Sequence, residues 1–434
     1  MLRLETTTME FIADLHIHSP YSRATSSRMD LENLYVWAQL KGIAVISTGD
    51  FTHPRWYAQL QEKLEPAEPG LYRLKDCYAR EADEQVPQSC RAPVRFILSV
   101  EISTIYKKND RTRKVHSLIL APDLLAAGRL NATLQEIGNI ASDGRPILGL
   151  DCKRLLELTL DASSDNVLIP AHIWTPHFSV LGSASGFDSI DECFEDLTPH
   201  IFALETGLSS DPPMNWRISM LDSFVLVSNS DAHSPSKLGR EANIFTCEKN
   251  YFHMMQALRA KDPAGFKGTI EFFPEEGKYH LDGHRACDQC LTPEQTKAAQ
   301  GRCPECGAKV TVGVMHRVND LADRNAGSRP EGAFDFESLI PLEEVLSEIY
   351  AAGAQSKKVQ GAYMRLLRAL GSEFDILRNC SPDDLGRAGP PLLGEAIKRL
   401  RAGHVVMQPG YDGVYGVITV FDPIEKTAGQ PALF

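Results

Sequence analysis

The chain opens on a regular alternation of short apolar runs and polar turns. Seven runs read as strands: "FIADLHI" (11–17), "IAVIST" (43–48), "RFILSVEI" (95–102), "KVHSLILA" (114–121), "NVLIPAH" (166–172), "IFALET" (201–206) and "FVLVSNSD" (224–231). Near-continuous apolar strands are what a sheet covered on both faces requires. Between the first two, Leu31, Leu34, Tyr35 and Ala38 fall at i, i+3, i+4 and i+7, with Asp30 placed to cap the start of a helix and Gly42 just past its end. Strand, helix, strand repeated over residues 11–275 predicts a parallel β/α barrel.

Near residue 275 the pattern changes. "FFPEEGKYHLDGHRACDQC" is polar and glycine-bearing, and from "PLEEVLSEIYAAG" (341–353) to "LLGEAIKRLRAG" (392–403) the chain reads as short helices broken by Gly, Ser and Pro. "HVVMQPGYDGVYGVITVF" predicts a terminal β-hairpin turning at Asp412-Gly413. Three domains follow as expectations: a β/α domain (1–275), a polar cysteine-bearing segment (276–325) and a helical domain ending in the hairpin (326–434). A length of 434 residues accommodates that many.

Composition narrows the class. At 43% apolar and 24% charged residues, with no apolar stretch of about 20 residues and no signal-peptide pattern at "MLRLETTTMEF", the reading is a cytoplasmic globular protein with no membrane partner. The net charge of -12 argues against an overall electrostatic embrace of nucleic acid, while a basic or metal-filled cleft stays compatible with it. Six of the ten cysteines are scattered and four lie within residues 287–306, which favours free thiols plus one metal site over disulfides.

The chemistry lies at the ends of the runs. They deliver His16 and His18, then Asp50, Glu101, His172, and finally Asp231 with His233; His116 falls inside its run. On extended chain, residues i and i+2 share a side, so His16 with His18, and Asp231 with His233, can face one cation. Imidazole and carboxylate together suit zinc, manganese or iron, and a carboxylate such as Glu101 can bridge two cations. Asp14, of opposite parity, reads as a buried hydrogen-bonding carboxylate. Such a cluster polarises a phosphoryl oxygen and activates water, so phosphoester hydrolysis is the natural reaction.

D-x-H-x-H near the start, a strand ending in Glu, a later P-A-H and a final S-D-A-H resemble the polymerase-and-histidinol-phosphatase (PHP) superfamily. The resemblance implies a distorted seven-stranded β/α barrel with two or three divalent cations (zinc, manganese or magnesium). It assigns His16, His18, Glu101 and Asp231 to one metal, Glu101, His116 and His172 to a second, and Asp50 with His233 to a third, with His16, His18, Asp50, Glu101, Asp231 and His233 catalytic. Two departures stand out: "TGD" places Asp50 where that superfamily carries a histidine, and "SPYSRATSS" after His18 supplies no further histidine. His53 reads as a loop histidine.

"CDQCLTPEQTKAAQGRCPEC" provides Cys287, Cys290, Cys303 and Cys306 as two Cys-x2-Cys knuckles, the spacing of a structural zinc cage with no open position for substrate. Basic residues gather at Lys107, Lys108, Arg111, Arg113 and Lys114, at Lys357, Lys358, Arg365 and Arg368, and at Lys398, Arg399 and Arg401, which favours a diester polymer over a small monoester.

"HIWTPHFSVLGSASGFDSIDECF" (172–194), "ALETGLSSDPPMNWRISMLD" (203–222), "LVSNSDAHSPSKLGREANIF" (226–245) and "VGVMHRVNDLADR" (312–324) resemble the endonuclease Q family. That resemblance implies a DNA repair endonuclease that hydrolyses the backbone 5′ to uracil, hypoxanthine, xanthine or an abasic site, leaving a 3′-hydroxyl and a 5′-phosphate. It further implies a nucleotide extruded into a reading pocket, damaged DNA as partner together with a sliding clamp or other repair proteins, and a nucleoid-associated location. Trp174, His177, Phe178, Ser179, Asn229 and Arg240 are the expected strand and base contacts, with Tyr411 and Tyr415 of the hairpin opposite. The competing functions are a PHP phosphomonoesterase and a non-catalytic zinc-dependent DNA-binding protein.

Overall fold

The structure, a computed structural model, describes residues 10–422. All seven apolar runs form strands: β1 (Phe11–Asp14), β2 (Val45–Ser47), β3 (Arg95–Lys108), β4 (Arg111–Ala121), β5 (Val167–Pro170), β6 (Ala203–Glu205) and β7 (Val225–Val227). Helix α1 (Leu31–Lys41) has the expected ends. The Asp30 side chain accepts from Asn33 N, and Gly42, at φ 90°, donates its N–H to the carbonyls of Ala38 and Gln39.

Strands β1, β2 and β3 run parallel, with Ala13 opposite Val45 and Val45 opposite Arg95, and β6 and β7 form a second parallel pair. The expectation of parallel strands fails between them. β3 and β4 form an antiparallel hairpin from Leu98↔Ala121 to Lys108↔Arg111, and β5 lies antiparallel to β4. The cause is the connection: only Asn109 and Asp110, both at positive φ (52° and 57°), join β3 to β4, and a parallel return needs a crossover of about a dozen residues. The same hairpin explains the odd place of His116. Both strands continue past the site, so Glu101 and His116 lie mid-strand rather than at strand ends.

Two seams close the circuit through backbone bonds. Ile173 N donates to Glu205 O (3.0 Å) between the ends of β5 and β6, while Asp231 N donates to His16 O (2.9 Å) and His18 N to Ala232 O (3.1 Å) between β7 and β1. On the other edge of β1 the sheet continues through β8 (Ala242–Phe245), β9 (Phe266–Glu271) and β10 (Asp335–Ser338).

β10 belongs to the segment after the cysteine-rich stretch, so the chain leaves the main sheet and returns to it. The following helices, Leu342–Tyr350, Lys357–Leu370, Pro382–Ala388 and Leu393–Arg401, share one apolar core with α1. The rings of Trp37 and Tyr363 stack 6.5 Å apart, and Lys41 makes a buried 2.7 Å ion pair with Glu373. The hairpin forms with Val406–Gln408 against Val417–Thr419, and Asp412 and Gly413 turn it at φ 43° and 84°. It docks through a Leu281–Tyr411 bridge onto a small two-stranded unit, Asp282–His284 and Gln289–Leu291. Among the described residues no helix is long and apolar enough to cross a membrane.

Candidate metal centre and adjoining cavity

Three strand ends place their acidic or imidazole side chains through unusual backbone. Asp50 after β2, His172 after β5 and Asp231 after β7 all have positive φ (51°, 29° and 45°). Non-glycine residues in that region cost about 1–3 kcal/mol each and persist where the surroundings enforce them. Here Gly207 is one enforcing neighbour: a Cβ on it would come within 2.4 Å of the Cβ of His172.

The side chains converge in two groups that share Glu101. His16, His18, Glu101 and Asp231 form one and Glu101, His116 and His172 the other, with the ligand atoms of each group within 4.8 Å of one another. Oε2 of Glu101 lies 3.6 Å from His16 Nε2 and 3.3 Å from His18 Nε2. Its Oε1 lies 2.6 Å from His116 Nδ1 and 2.9 Å from His172 Nε2. Asp231 Oδ1 is 2.9 Å from His18 Nε2.

The far side of three of the four imidazoles is fixed. His16 Nδ1 bonds to Glu205 (3.0 Å), His18 Nδ1 to Asp50 (3.1 Å) and His172 Nδ1 to Thr175 Oγ1 (3.1 Å). A ring held in this way by a carboxylate presents its other nitrogen in one tautomer. Of the presented atoms, His16 Nε2 is buried without a hydrogen-bond partner, and His18 Nε2 and Asp231 Oδ1, though 2.9 Å apart, are buried without a well-aligned one. Buried polar atoms without good partners are costly, and three that converge on a two-oxygen bridge fit divalent cations in donor set and in unmet valence. Burial raises the pKa of Glu101, yet His116 and Arg145 hold its carboxyl well below the usual range; for Asp231, burial is likewise overcome by His18 and His16. Both therefore stay anionic.

Among the described residues, Asp50 and His233, the expected third group, are not part of a gathered set of three or more ligand residues. Asp50 accepts from Ser19 N and Ser19 Oγ (2.6 Å each), from Ser22 Oγ (2.9 Å) and from His18, so its oxygens are spent on holding His18. His233 Nδ1 turns to the carbonyl of Asp231 at 2.9 Å. Asp14 is buried as expected, accepting from Ser230 N (3.1 Å) and Gly239 N (3.0 Å) to tie down the loop that carries Asp231.

Besides Thr175, which holds His172, Glu205 and Arg145 lay outside the sequence expectations. Glu205 closes β6 as an acidic strand end, the same signal that marks Glu101, but braces His16 instead of facing the cluster. Arg145 sits in an irregular loop with no periodic signal and contacts Glu101 Oε2 at 3.0 Å.

Beside the cluster lies a cavity of about 780 Å³, lined among others by Thr175, His177, Arg240, Lys278, Tyr279 and Tyr415. Thr175 ties it to His172, and Arg240, which donates to the carbonyls of Ser230 (2.8 Å) and Asp231 (3.3 Å), ties it to the Asp231 loop. Of the expected contacts, His177, Arg240 and Tyr415 border this space. Phe178 instead packs on His116 at 4.8 Å, and Tyr411 is buried with its hydroxyl on Asp288. Trp174, Ser179 and Asn229 face inward: Trp174 donates to Asn215, Ser179 to the carbonyl of Thr175, and Asn229 to Glu205 while accepting from Leu15 N. Proximity in sequence to His172 and Asp231 said nothing about the direction these side chains take.

The cysteine-rich stretch gathers His284, Cys287, Cys303 and Cys306 within 4.8 Å. Cys290 is not among them. On the antiparallel pair, His284 is opposite Gln289 and Gly283 opposite Cys290, so Cys290 projects from the other face. A set of three cysteines and one histidine is as suited to zinc as a set of four cysteines, and His284-x2-Cys287 repeats the knuckle spacing. The basic stretch at the β3–β4 tip is partly neutralised: Lys108 pairs with Glu195 (2.7 Å) and Arg113 is buried against the Gly186 carbonyl, leaving Lys107 and Arg111 exposed.

Fold and site together define a mixed α/β protein with a carboxylate-bridged imidazole centre and a separate cysteine cluster. A family model for the MJ0043 C-terminal domain matches residues 341–404. The chain is 33% identical over 276 residues to the uncharacterized protein MJ0043 of Methanocaldococcus jannaschii, a match that spans 61% of this chain and a third (33%) of that longer protein. It is 29% identical over 426 residues to the uncharacterized protein YqxK of Bacillus subtilis (strain 168), covering 94% and 98% of the two chains. Among solved structures it is similar to the lesion-specific endonuclease PfuEndoQ from Pyrococcus furiosus, with a TM-score of 0.82, 29% identity, and 98% and 100% of the chains covered. It is equally similar to endonuclease Q in complex with a 27-mer duplex bearing an abasic lesion, with a TM-score of 0.80, 29% identity, and 96% and 98% covered. Over nearly its whole length the chain is thus similar to endonuclease Q.

Proposed function

We propose that the protein is a DNA repair endonuclease that hydrolyses the phosphodiester 5′ to a deaminated base (uracil, hypoxanthine or xanthine) or an abasic site. The observation that carries this reading is the convergence of buried His16 Nε2, His18 Nε2 and Asp231 Oδ1 on the bridging Glu101, beside a cavity of nucleotide-accommodating size. The full-length likeness to an endonuclease held on lesion-bearing duplex supports it.

In this reading β1 to β7 form the distorted seven-stranded barrel of the PHP type (1–275), followed by a zinc ribbon (276–325) and a helical domain (326–434). Two divalent cations, zinc, manganese or magnesium, would be held by His16, His18, Glu101 and Asp231 and by Glu101, His116 and His172. When bound, they polarise the phosphoryl group and stabilise the entering and leaving oxygens. The chain's own residues do the rest. Glu205, Asp50 and Thr175 hold the rings in register. Arg240 fixes the Asp231 loop, and the cavity receives the extruded nucleotide, with His177 and Tyr415 on its wall as reading or stacking groups. Water oxygen bonds to phosphorus, the bond from phosphorus to the 3′ oxygen breaks, and the 3′ oxygen takes a proton, leaving a 3′-hydroxyl and a 5′-phosphate. The site of action is the cytoplasm, at the nucleoid, where a sliding clamp or other repair proteins would recruit the enzyme.

Duplexes carrying a single uracil, hypoxanthine, xanthine or abasic site, incubated with Mg2+ or Mn2+ and mapped on a sequencing gel, test the proposal. One cut immediately 5′ to the lesion is expected, with an undamaged duplex left intact. Intact lesion duplexes alongside hydrolysis of an aryl phosphate would replace this reading with a phosphomonoesterase.

A further inference from the structure

Only part of the centre is open to an incoming ligand. The side chains of His16, His18 and Glu101 have no solvent exposure, whereas those of Asp231 and Arg145 are each 26% exposed. The opening is thus flanked by a carboxylate and a guanidinium. Among the described residues, Arg145 is the one arginine in contact with a carboxylate of the cluster.

Its backbone is fixed on both sides. Gly144 N donates to Tyr21 O (3.0 Å), Arg145 N to Asp143 Oδ1 (3.1 Å), and Ser103 N to Pro146 O (3.0 Å). Gly144 lies so close to the site that a Cβ there would approach Asp50 Oδ2 to 2.3 Å and Ser22 Oγ to 2.5 Å. The loop is therefore seated on the residues that orient His18, and only the Arg145 side chain is free to redirect. Its present acceptor, Glu101 Oε2, also faces His16 and His18 while Oε1 faces His116 and His172. Occupation of both ligand groups would claim both oxygens and leave the guanidinium, a cation that cannot discharge near neutral pH, in need of another anionic oxygen at the opening.

Resting on the function proposed above, we infer that Arg145 is a substrate-binding catalytic residue: its guanidinium leaves Glu101 when the centre is loaded and donates to non-bridging oxygens of the phosphoryl group under attack. This assigns to a protein side chain the positive charge that an Asp50–His233 cation site would otherwise have supplied, in a chain where Asp50 is hydrogen-bonded to His18 and Ser19. A fork of donors delivered to developing charge is the kind of group whose loss costs about 10²–10³-fold in kcat.

The test uses full-length wild type, Arg145→Ala, Arg145→Gln and Arg145→Lys, each loaded with Mn2+ and checked for folding by thermal melting. Bound manganese is measured by elemental analysis, inorganic phosphate binding by calorimetry, and incision of an abasic duplex by kcat and KM. Expected for Ala and Gln are unchanged manganese content, phosphate Kd raised about tenfold or more, and kcat lowered about 10²–10³-fold. Partial recovery is expected with Lys and on adding millimolar guanidinium ion, which a purely structural role would not produce. Wild-type phosphate affinity in Arg145→Ala and Arg145→Gln, or loss of manganese in step with activity, overturns the inference; the latter makes Arg145 a brace for Glu101. If wild type cuts no lesion duplex, the proposed function falls, and the phosphate arm still decides the role of Arg145.

Discussion

The two ligand clusters of this protein are built on opposite principles. At the mouth of the strand circuit, His16, His18 and Glu101 are fully buried, and the first two are each gripped from behind by a carboxylate that belongs to a strand end. In the cysteine-rich unit, Cys306 is exposed, His284 and Cys287 are half-buried, and the apolar core amounts to Leu291, Cys303 and Val310, with Cys287 against it. The first cluster is made by the fold and would keep its shape before any ion arrives. The second has too little core to hold a shape alone, so an ion there contributes the folding energy itself. One region spends stability to position chemistry; the other acquires stability from its metal.

The sharpest separation comes from point changes at the mouth. His16→Ala or Asp231→Ala should lower incision by about 10³-fold or more, since each removes a ligand outright, while thermal melting stays within a few degrees of wild type. Unfolding of these variants would place the cluster in the cysteine unit's class. Next in size, Glu205→Gln and Asp50→Asn keep the volume but remove the anionic grip on His16 and His18, and metal affinity by calorimetry should fall about 10–100-fold. Unchanged affinity would mean that the braces are incidental. Chelation then contrasts the two regions directly: hydrogen exchange should rise over residues 282–311 on metal removal and stay protected in β1 to β5.

A smaller effect sharpens the ligand assignment. His284→Ala should release zinc and loosen the unit, and Cys290→Ala should not; the reverse result would restore the Cys-x2-Cys knuckle. The smallest expected effect tests the shared core. Gly42→Ala, at φ 90° with Ser372 Oγ 2.5 Å from the added Cβ, should cost about 1–3 kcal/mol in denaturant unfolding without altering kcat.

The sequence disclosed the mouth better than the cysteine-rich unit, and the reason is physical. Apolar runs end where a side chain turns to the site, so His16, His18, His172 and Asp231 announce themselves by position. Strand direction is not written in apolarity, and the antiparallel hairpin of β3 and β4 was encoded only by the two-residue connection Asn109-Asp110. Roles were harder to read than places: Asp50 and Asn229 look like ligand or contact residues, and the fold spends both on bracing. Arg145 carried no signal, because an irregular loop has no period and its significance arises from a contact 44 residues away in sequence. Cys290 stands apart from His284, Cys287, Cys303 and Cys306, since knuckle spacing takes no account of which face of a short strand a side chain occupies.

The central claim, that distant imidazoles and carboxylates hold cations on a shared Glu101, is tested most directly by anomalous diffraction at the manganese edge from crystals of incision-competent protein. The account predicts two peaks, each about 2.0–2.2 Å from its ligand atoms, one among His16, His18, Glu101 and Asp231 and one among Glu101, His116 and His172. A fully active crystal with no anomalous density between those side chains would contradict it.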